Sequence, residues 1–142
     1  MSETLVSALI SAQAEIKQPT KNAVNPHFKS RFADLGACFD AVREPLRNNN
    51  LALVQLVVGK ELVTTLLHTS GEKLESRFPL PEGGTPQVIG SAITYARRYA
   101  LCAMLSLVAE DDDDGNTASN DAPGPASRKA YVDKARAARV ED

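Results

Sequence analysis

The sequence contains no tryptophan, only two cysteines among its 142 residues, and no apolar run near the roughly 20 residues that a membrane span needs. So few cysteines exclude a disulfide scaffold, and Cys38 and Cys102 lack partners at the spacing of a zinc site. We predict that both are small core residues. The amphipathic start, MSETLVSALISAQAEIKQ, has no basic segment and no cleavage site, so we expect a cytoplasmic protein without a membrane anchor.

Residues that carry catalysis are also scarce. His27 and His68 stand alone, and Gly83-Gly84-Thr85 lacks the Lys-Ser/Thr of a phosphate loop. The acidic run Glu110–Asp114 could attract magnesium, but a nuclease fixes its metal ligands on separate rigid elements. We therefore predict a protein that is not an enzyme and uses no metal or cofactor. A metal-dependent nuclease built on the acidic run is a less favoured alternative.

Charge divides the chain into two parts. Residues 1–109 carry 11 Lys and Arg against 9 Asp and Glu, whereas residues 110–142 carry 5 against 9. Residues 17–31 hold four cations, one histidine and no acid, which makes a local positive stripe. We predict one folded domain over 1–109 and an acidic flexible tail over 110–142, with a possible short helix at 127–140.

Apolar periodicity predicts two helices in the first third of the chain. The first covers about Thr4–Ile16, and residues 18–32, which include two prolines, are expected to form an extended arm that does not pack. Asp34 can cap a second helix over residues 35–46. Pro45 removes a helical N–H, so we expect a distorted last turn.

From Leu51 to Phe78 the period becomes strand-like. Turn signals at Gly59-Lys60 and Thr69–Glu72 divide this run into three strands of an antiparallel meander. If Val58 pairs with Glu61, one apolar face forms, and we expect a helix to cover it. The residues predicted for this face are Val54, Leu56, Val58, Val63, Thr65, Leu67, Leu74, Ser76 and Phe78.

A third helix is predicted from the cap Thr85 and Pro86 to about Val108. Its last two turns are apolar nearly all round, which indicates burial on more than one side, for example against another subunit. The fold class is therefore α+β, with an antiparallel sheet of three or more strands packed on a long helix. The buried sector is Val88, Ile89, Ala92, Ile93, Ala96, Tyr99, Ala100, Ala103, Met104 and Leu107. The polar side is Gln87, Ser91, Thr94 and Arg98.

Two basic features are candidates for binding a ligand: the arm His27-Phe28-Lys29-Ser30-Arg31-Phe32, and the pair Arg97-Arg98 on the third helix. Cations interleaved with aromatic rings suit single-stranded nucleic acid, because the cations neutralise phosphates and the rings stack on bases. The alternatives are that Phe28 and Phe32 belong to the core, and that the two arginines form surface ion pairs with Glu75 or the acidic run.

Three sequence blocks resemble the essential recombination function (ERF) family of phage and prophage single-strand annealing proteins. They are NPHFKSRFADL at residues 25–35, TPQ at 85–87 followed by GSAITYARRYAL at 90–101, and EDDDDGN at 110–116. The resemblance implies ATP-independent annealing of complementary strands during homologous recombination in a bacterial host cell. It also implies a fold similar to that of eukaryotic ring-forming annealing proteins. Longer members have a further C-terminal region, whereas only a short segment follows Asn116 here.

The partners implied by the resemblance are single-stranded DNA, copies of the chain in a ring or filament, a phage exonuclease and a host single-strand binding protein. We expect Lys29, Arg31, Arg98 and Arg97 to hold phosphates, with Ser91 and Thr94 donating hydrogen bonds and Phe28 or Tyr95 stacking a base. The candidate DNA-binding residues are Lys21, His27, Phe28, Lys29, Arg31, Ser91, Thr94, Tyr95, Arg97 and Arg98. The other functions considered are a passive protector of single strands and a purely structural scaffold.

Overall fold

The computed structural model describes residues 3–27 and 29–110, and its elements confirm the α+β class. Strands β1 and β2 form a two-stranded hairpin, and β3, β4 and β5 form an antiparallel sheet with β4 in the middle. In chain order the elements are α1 (Leu5–Glu15), β1 (Ala23–Val24), β2 (Arg31–Phe32), α2 (Leu35–Asn48), β3 (Leu51–Val58), β4 (Glu61–His68), β5 (Lys73–Pro79) and α3 (Pro86–Leu105).

Side-chain caps set the start of each helix. Thr4, Asp34 and Thr85 each accept a hydrogen bond from the backbone N–H three residues later, at 3.1, 2.9 and 3.2 Å. The caps predicted at Asp34 and Thr85 are thus confirmed. Helix α2 continues past Pro45 to Asn48, and the side-chain amide of Asn49 donates a hydrogen bond to the Pro45 carbonyl at 2.7 Å. That side-chain bond satisfies a carbonyl which the end of the helix leaves open.

Residues 18–32 are not a wholly extended, unpacked arm. Ala23 pairs with Phe32 and Val24 with Arg31, so the segment folds back on itself as a hairpin. The chain just after this hairpin is tied to the end of the domain, since the N–H of Ala33 donates to the Ala109 carbonyl at 2.6 Å. Phe32 also forms a β-bridge with Glu110. Periodicity could not show this packing, because the partners lie at opposite ends of the domain sequence.

The predicted turns and the Val58–Glu61 pair are confirmed, but the predicted buried face of the sheet is wrong. Helices cover the opposite face, where Leu51, Leu62 and Leu66 are buried. On the predicted face, Val63 is buried as expected, but Leu56 and Val58 are more than half exposed. Leu74, Ser76 and Phe78 lie on the helix side, because Leu62 pairs with Phe78 and Leu66 with Leu74. Apolar residues occupy both faces of β3 and β4, so alternation alone could not choose between them.

The core lies between the sheet and the three helices. Its larger cluster contains Leu5, Val42, Leu66, Leu101 and Leu105, and a smaller cluster places Ala96 and Ala100 of α3 against Leu62. Cys38 and Cys102 are buried in the larger cluster with their Sγ atoms 3.6 Å apart, which confirms their prediction as core residues.

Helix α3 is buried in its second half only. Residues 86–91 are exposed, including Val88 at 55% and Ile89 at 38%, although both were predicted to be buried. Ala103 and Tyr99, from the same predicted sector, are also exposed. The apolar last turns are covered on one side within the chain, since Leu101 and Leu105 contribute to the larger core cluster.

Candidate nucleic-acid interface

The cationic hairpin, which we define as residues 21–32, presents most of the predicted arm residues. Its loop is closed by backbone hydrogen bonds from Asn25 N–H to the Ser30 carbonyl at 2.8 Å and from Lys29 N–H to the Asn25 carbonyl at 2.7 Å. Asn25 also accepts from the His27 N–H through its side chain, at 2.9 Å. The loop conformation is therefore fixed by Asn25, which the sequence prediction did not single out.

Cations of the hairpin point to solvent. Lys29 and Arg31 are exposed, as is His27, and Lys21 is partly buried. The Arg31 guanidinium donates to the Lys21 carbonyl at 3.1 Å, which holds the arginine across the hairpin. Lys29 adopts a left-handed backbone conformation with φ of 54°. Phe28, predicted as a base-stacking residue, lies outside the described residues.

Arg98 lies against this hairpin, in what we call the arginine cluster: Phe32, Arg98, Tyr99 and Glu110. Its guanidinium carbon is 5.1 Å from the centre of the Phe32 ring and 4.9 Å from that of Tyr99, both cation–π distances. It donates to Glu110 at 3.0 Å, and only 13% of its side chain is exposed. The predicted solvent-facing position of Arg98 is thus wrong. The alternative of an ion pair with the acidic run is confirmed at Glu110.

Tyr99 completes the cluster. Its hydroxyl donates to the same Glu110 oxygen at 2.8 Å. Partial burial, with hydrogen bonds to Tyr95 and Glu110, raises the pKa of Tyr99, so the hydroxyl keeps the proton that it donates. The rings of Tyr95 and Tyr99 are 4.3 Å apart, and Tyr95 is 52% exposed. A pair of tyrosine rings, tilted by 37° to each other, therefore adjoins Arg98.

Thr94 and Tyr95 lie three and four residues after Ser91 and four and three residues before Arg98, so all four share one side of α3. Ser91 and Thr94 are exposed, as predicted from their place on the polar side. The Thr94 hydroxyl donates to the Gly90 carbonyl at 3.1 Å, so its hydrogen is already used within the helix. Thr94 is therefore better suited to accept a hydrogen bond than to donate one to a phosphate.

Arg97 does not lie on this side of α3. Its Nε donates to the Gln55 side chain at 3.2 Å, and its guanidinium lies 5.6 Å from the centre of the Phe39 ring. The Gln55 amide in turn donates to Thr64 and to the Arg97 carbonyl, both at 3.1 Å. Adjacent residues of a helix differ by about 100° in direction, which explains why Arg97 faces β3 and α2 while Arg98 faces the hairpin.

Sequence reasoning placed Phe32 in the basic arm, with the core as the alternative, Tyr99 in the buried sector of the third helix and Glu110 in the tail, and it did not consider Gln55. One local signal was available for Tyr99, since it is four residues from Tyr95 and next to Arg98. The roles of Phe32, Glu110 and Gln55 depend on contacts between distant parts of the chain. The predicted sites in residues 111–142, including the helix at 127–140, lie outside the described residues.

In the described part of the chain, we found no group of three or more side chains able to hold a metal ion and no helix long and apolar enough to cross a membrane. What the structure defines is a small α+β domain in which the cationic hairpin meets a tyrosine-bearing helix at Arg98. The chain belongs to the ERF superfamily, whose family model matches residues 5–138. This family indicates a phage protein of single-strand annealing and recombination. No match was found among curated proteins or among solved structures.

Proposed function

We propose that this protein binds single-stranded DNA along the cationic hairpin and the adjoining side of α3, and that it anneals complementary strands without ATP. The observation that carries the proposal is the contact between Phe32 and Arg98, which joins the hairpin to the tyrosine-bearing helix. Membership of the ERF superfamily supports the same function. Annealing makes and breaks no covalent bond, so the proposed activity needs no catalytic residue.

Phosphates are the first target of this surface. Lys29 and Arg31 are exposed on the cationic hairpin, and residues 17–31 contain no acid, so the positive charge of this segment is not balanced within it. Arg98 adds a cation where the hairpin reaches α3. A strand held by its phosphates keeps its bases available for pairing, and neutralised phosphates reduce the repulsion between two strands.

Bases are the second target. Tyr95 is half exposed and its ring lies beside that of Tyr99, so one base can stack there without selection for sequence. A domain of this size contacts only a few nucleotides. We therefore propose that several copies act together in a ring or filament, since stable pairing requires a longer stretch of complementary sequence.

The test is to titrate a fluorescent oligothymidine with the protein at several salt concentrations. Three to four phosphate contacts per site predict a slope of about −2 to −3 for log affinity against log salt. Lys29→Ala and Arg31→Ala should each weaken binding for all sequences alike. Lys60→Ala, which removes a cation paired with Glu82 outside the hairpin, is the control and should leave affinity unchanged.

Annealing is measured separately, with two complementary oligonucleotides and no nucleotide cofactor. The proposal predicts that the protein raises the rate of pairing and that Lys29→Ala reduces this gain. A protein that binds but slows pairing is a passive protector, and annealing is then refuted. Absence of any binding to single strands refutes the interface itself. Shortening of the oligonucleotide with magnesium indicates a nuclease.

A further inference from the structure

Arg98 already has an anionic partner within the chain, and this occupancy is unexpected for a phosphate-binding residue. Its guanidinium and the Tyr99 hydroxyl both donate to one oxygen of Glu110, at 3.0 and 2.8 Å. The Phe32 and Tyr99 rings hold the guanidinium in a cation–π arrangement. Two donors thus converge on a single anionic oxygen, and aromatic rings fix the direction of the stronger one.

The same geometry suits a phosphodiester oxygen. Arginine binds carboxylates and phosphates through the same N–H groups, so a phosphate can take the place of the Glu110 carboxylate without rearrangement of Arg98. The arginine side chain is 13% exposed, which leaves little room for both anions at once. Binding of a phosphate at this point therefore requires that the carboxylate leave.

Glu110 is placed so that it can leave. Its side chain is 49% exposed, and it borders a surface pocket of about 540 Å³ that also contacts Arg98, Tyr99, Cys102 and Val108. Partly exposed ion pairs stabilise proteins only weakly, so a phosphate supported by neighbouring hairpin cations competes well with the carboxylate. The backbone bridge between Phe32 and Glu110 can stay in place while the side chain turns to solvent.

We propose that Glu110 occupies a phosphate site formed by Arg98 and Tyr99 in the DNA-free protein, and that a backbone phosphate of single-stranded DNA displaces it. This inference rests on the proposed function and adds to it an internal competitor of the ligand. The carboxylate keeps the arginine paired when no DNA is bound and lowers the affinity of the free site.

Glu110→Gln tests the inference, because glutamine keeps the shape and an acceptor oxygen for Tyr99 but loses the charge. With fluorescent (dT)20 as the probe, we expect about a two- to fivefold higher affinity than wild type. The salt slope should stay near that of wild type, because the phosphate contact with Arg98 forms in both proteins.

Glu82→Gln is the matched control, since it removes the same charge from an exposed ion pair with Lys60. It should leave both affinity and slope at wild-type values. In a second step, Arg98→Gln should abolish the gain caused by Glu110→Gln. If thermal unfolding shows that Arg98→Gln does not fold, Tyr99→Phe is used instead, because phenylalanine keeps the ring and removes one hydrogen-bond donor. Tyr99→Phe should reduce the gain in affinity that Glu110→Gln causes.

The outcomes separate the inference from the proposed function. If wild type binds (dT)20 and Glu110→Gln binds with the same or lower affinity, or if Glu82→Gln gains as much, displacement of Glu110 is refuted while DNA binding stands. A gain that persists without both Arg98 and the Tyr99 hydroxyl also refutes it. If neither wild type nor any variant binds the oligonucleotide, the proposed function fails and the inference fails with it.

Discussion

Replacing Gln55 by leucine should destabilise the domain, because this one side chain joins β3, β4 and α3. Its amide donates to Thr64 and to the Arg97 carbonyl, and its oxygen accepts from Arg97 Nε, at 3.1, 3.1 and 3.2 Å. Leucine has a similar volume but can make none of these three bonds. Thr64 is fully buried, so its hydroxyl would be left without the Gln55 donor.

The magnitude follows from these contacts. Each hydrogen bond contributes roughly 0.5–1.5 kcal/mol net, and leucine recovers part of the loss by burying apolar surface, so we expect about 2 kcal/mol less free energy of unfolding. Urea denaturation at one fixed protein concentration measures this, and the slope with urea should not change. Gln87→Leu is the control, since Gln87 is exposed in the first turn of α3.

A loss below about 0.5 kcal/mol, or one equal to that of Gln87→Leu, would refute a structural role for the Gln55 bonds. Because Arg97 is oriented by Gln55, the same variant also separates two roles of this arginine. If Arg97 contacts phosphate, oligothymidine binding should weaken under conditions where the variant remains folded. Unchanged affinity would remove Arg97 from the interface and leave it as a contact between α3, β3 and α2.

Two further predictions concern the core. Leu66→Ala should lower the free energy of unfolding by about 3 kcal/mol, because Leu66 is fully buried on the helix-covered side of the sheet. Leu67→Ala is the control and should lower it far less, because Leu67 lies on the open side and is 39% exposed. Equal losses in urea denaturation would contradict the assigned faces. Burial raises the pKa of Cys102 from 9.0 to about 12, so its thiol ionises more readily in the unfolded chain, and thermal stability should fall as the pH rises above 9.0. Between pH 7 and 10.5 the melting temperature should fall less steeply for Cys102→Ala than for wild type. An equal fall in both proteins would show that ionisation of Cys102 is not the cause.

Local signals were sufficient to predict most of the elements. Asp34 and Thr85 marked the starts of two helices because a cap acts within three residues, and Gly59-Lys60 marked a turn that fixed the Val58–Glu61 register. Local signals did not predict which face of the sheet is buried. Both faces of β3 and β4 carry apolar residues, and the choice between them depends on helices that approach from elsewhere in the chain.

The candidate site was predictable to a similar degree. The cations of the arm were found as a local excess of charge, and the structure places Lys29 and Arg31 at the surface. Arg98 was assigned to the right helix but to the wrong surroundings, because Phe32 and Glu110 reach it from outside that helix, one before it in the chain and one after it. Helical periodicity describes one helix in isolation and contains no information on such contacts.

The two native thiols have a practical consequence for labelling. Cys38 and Cys102 are buried between α2 and α3, with Cys102 at the edge of the surface pocket, and burial raises the pKa of each, so maleimide dyes should react slowly with them at neutral pH. Val108 is half exposed beside Arg98, and a cysteine introduced there would react first. A fluorophore at that position would report the arrival of a ligand at the hairpin without removal of either native thiol.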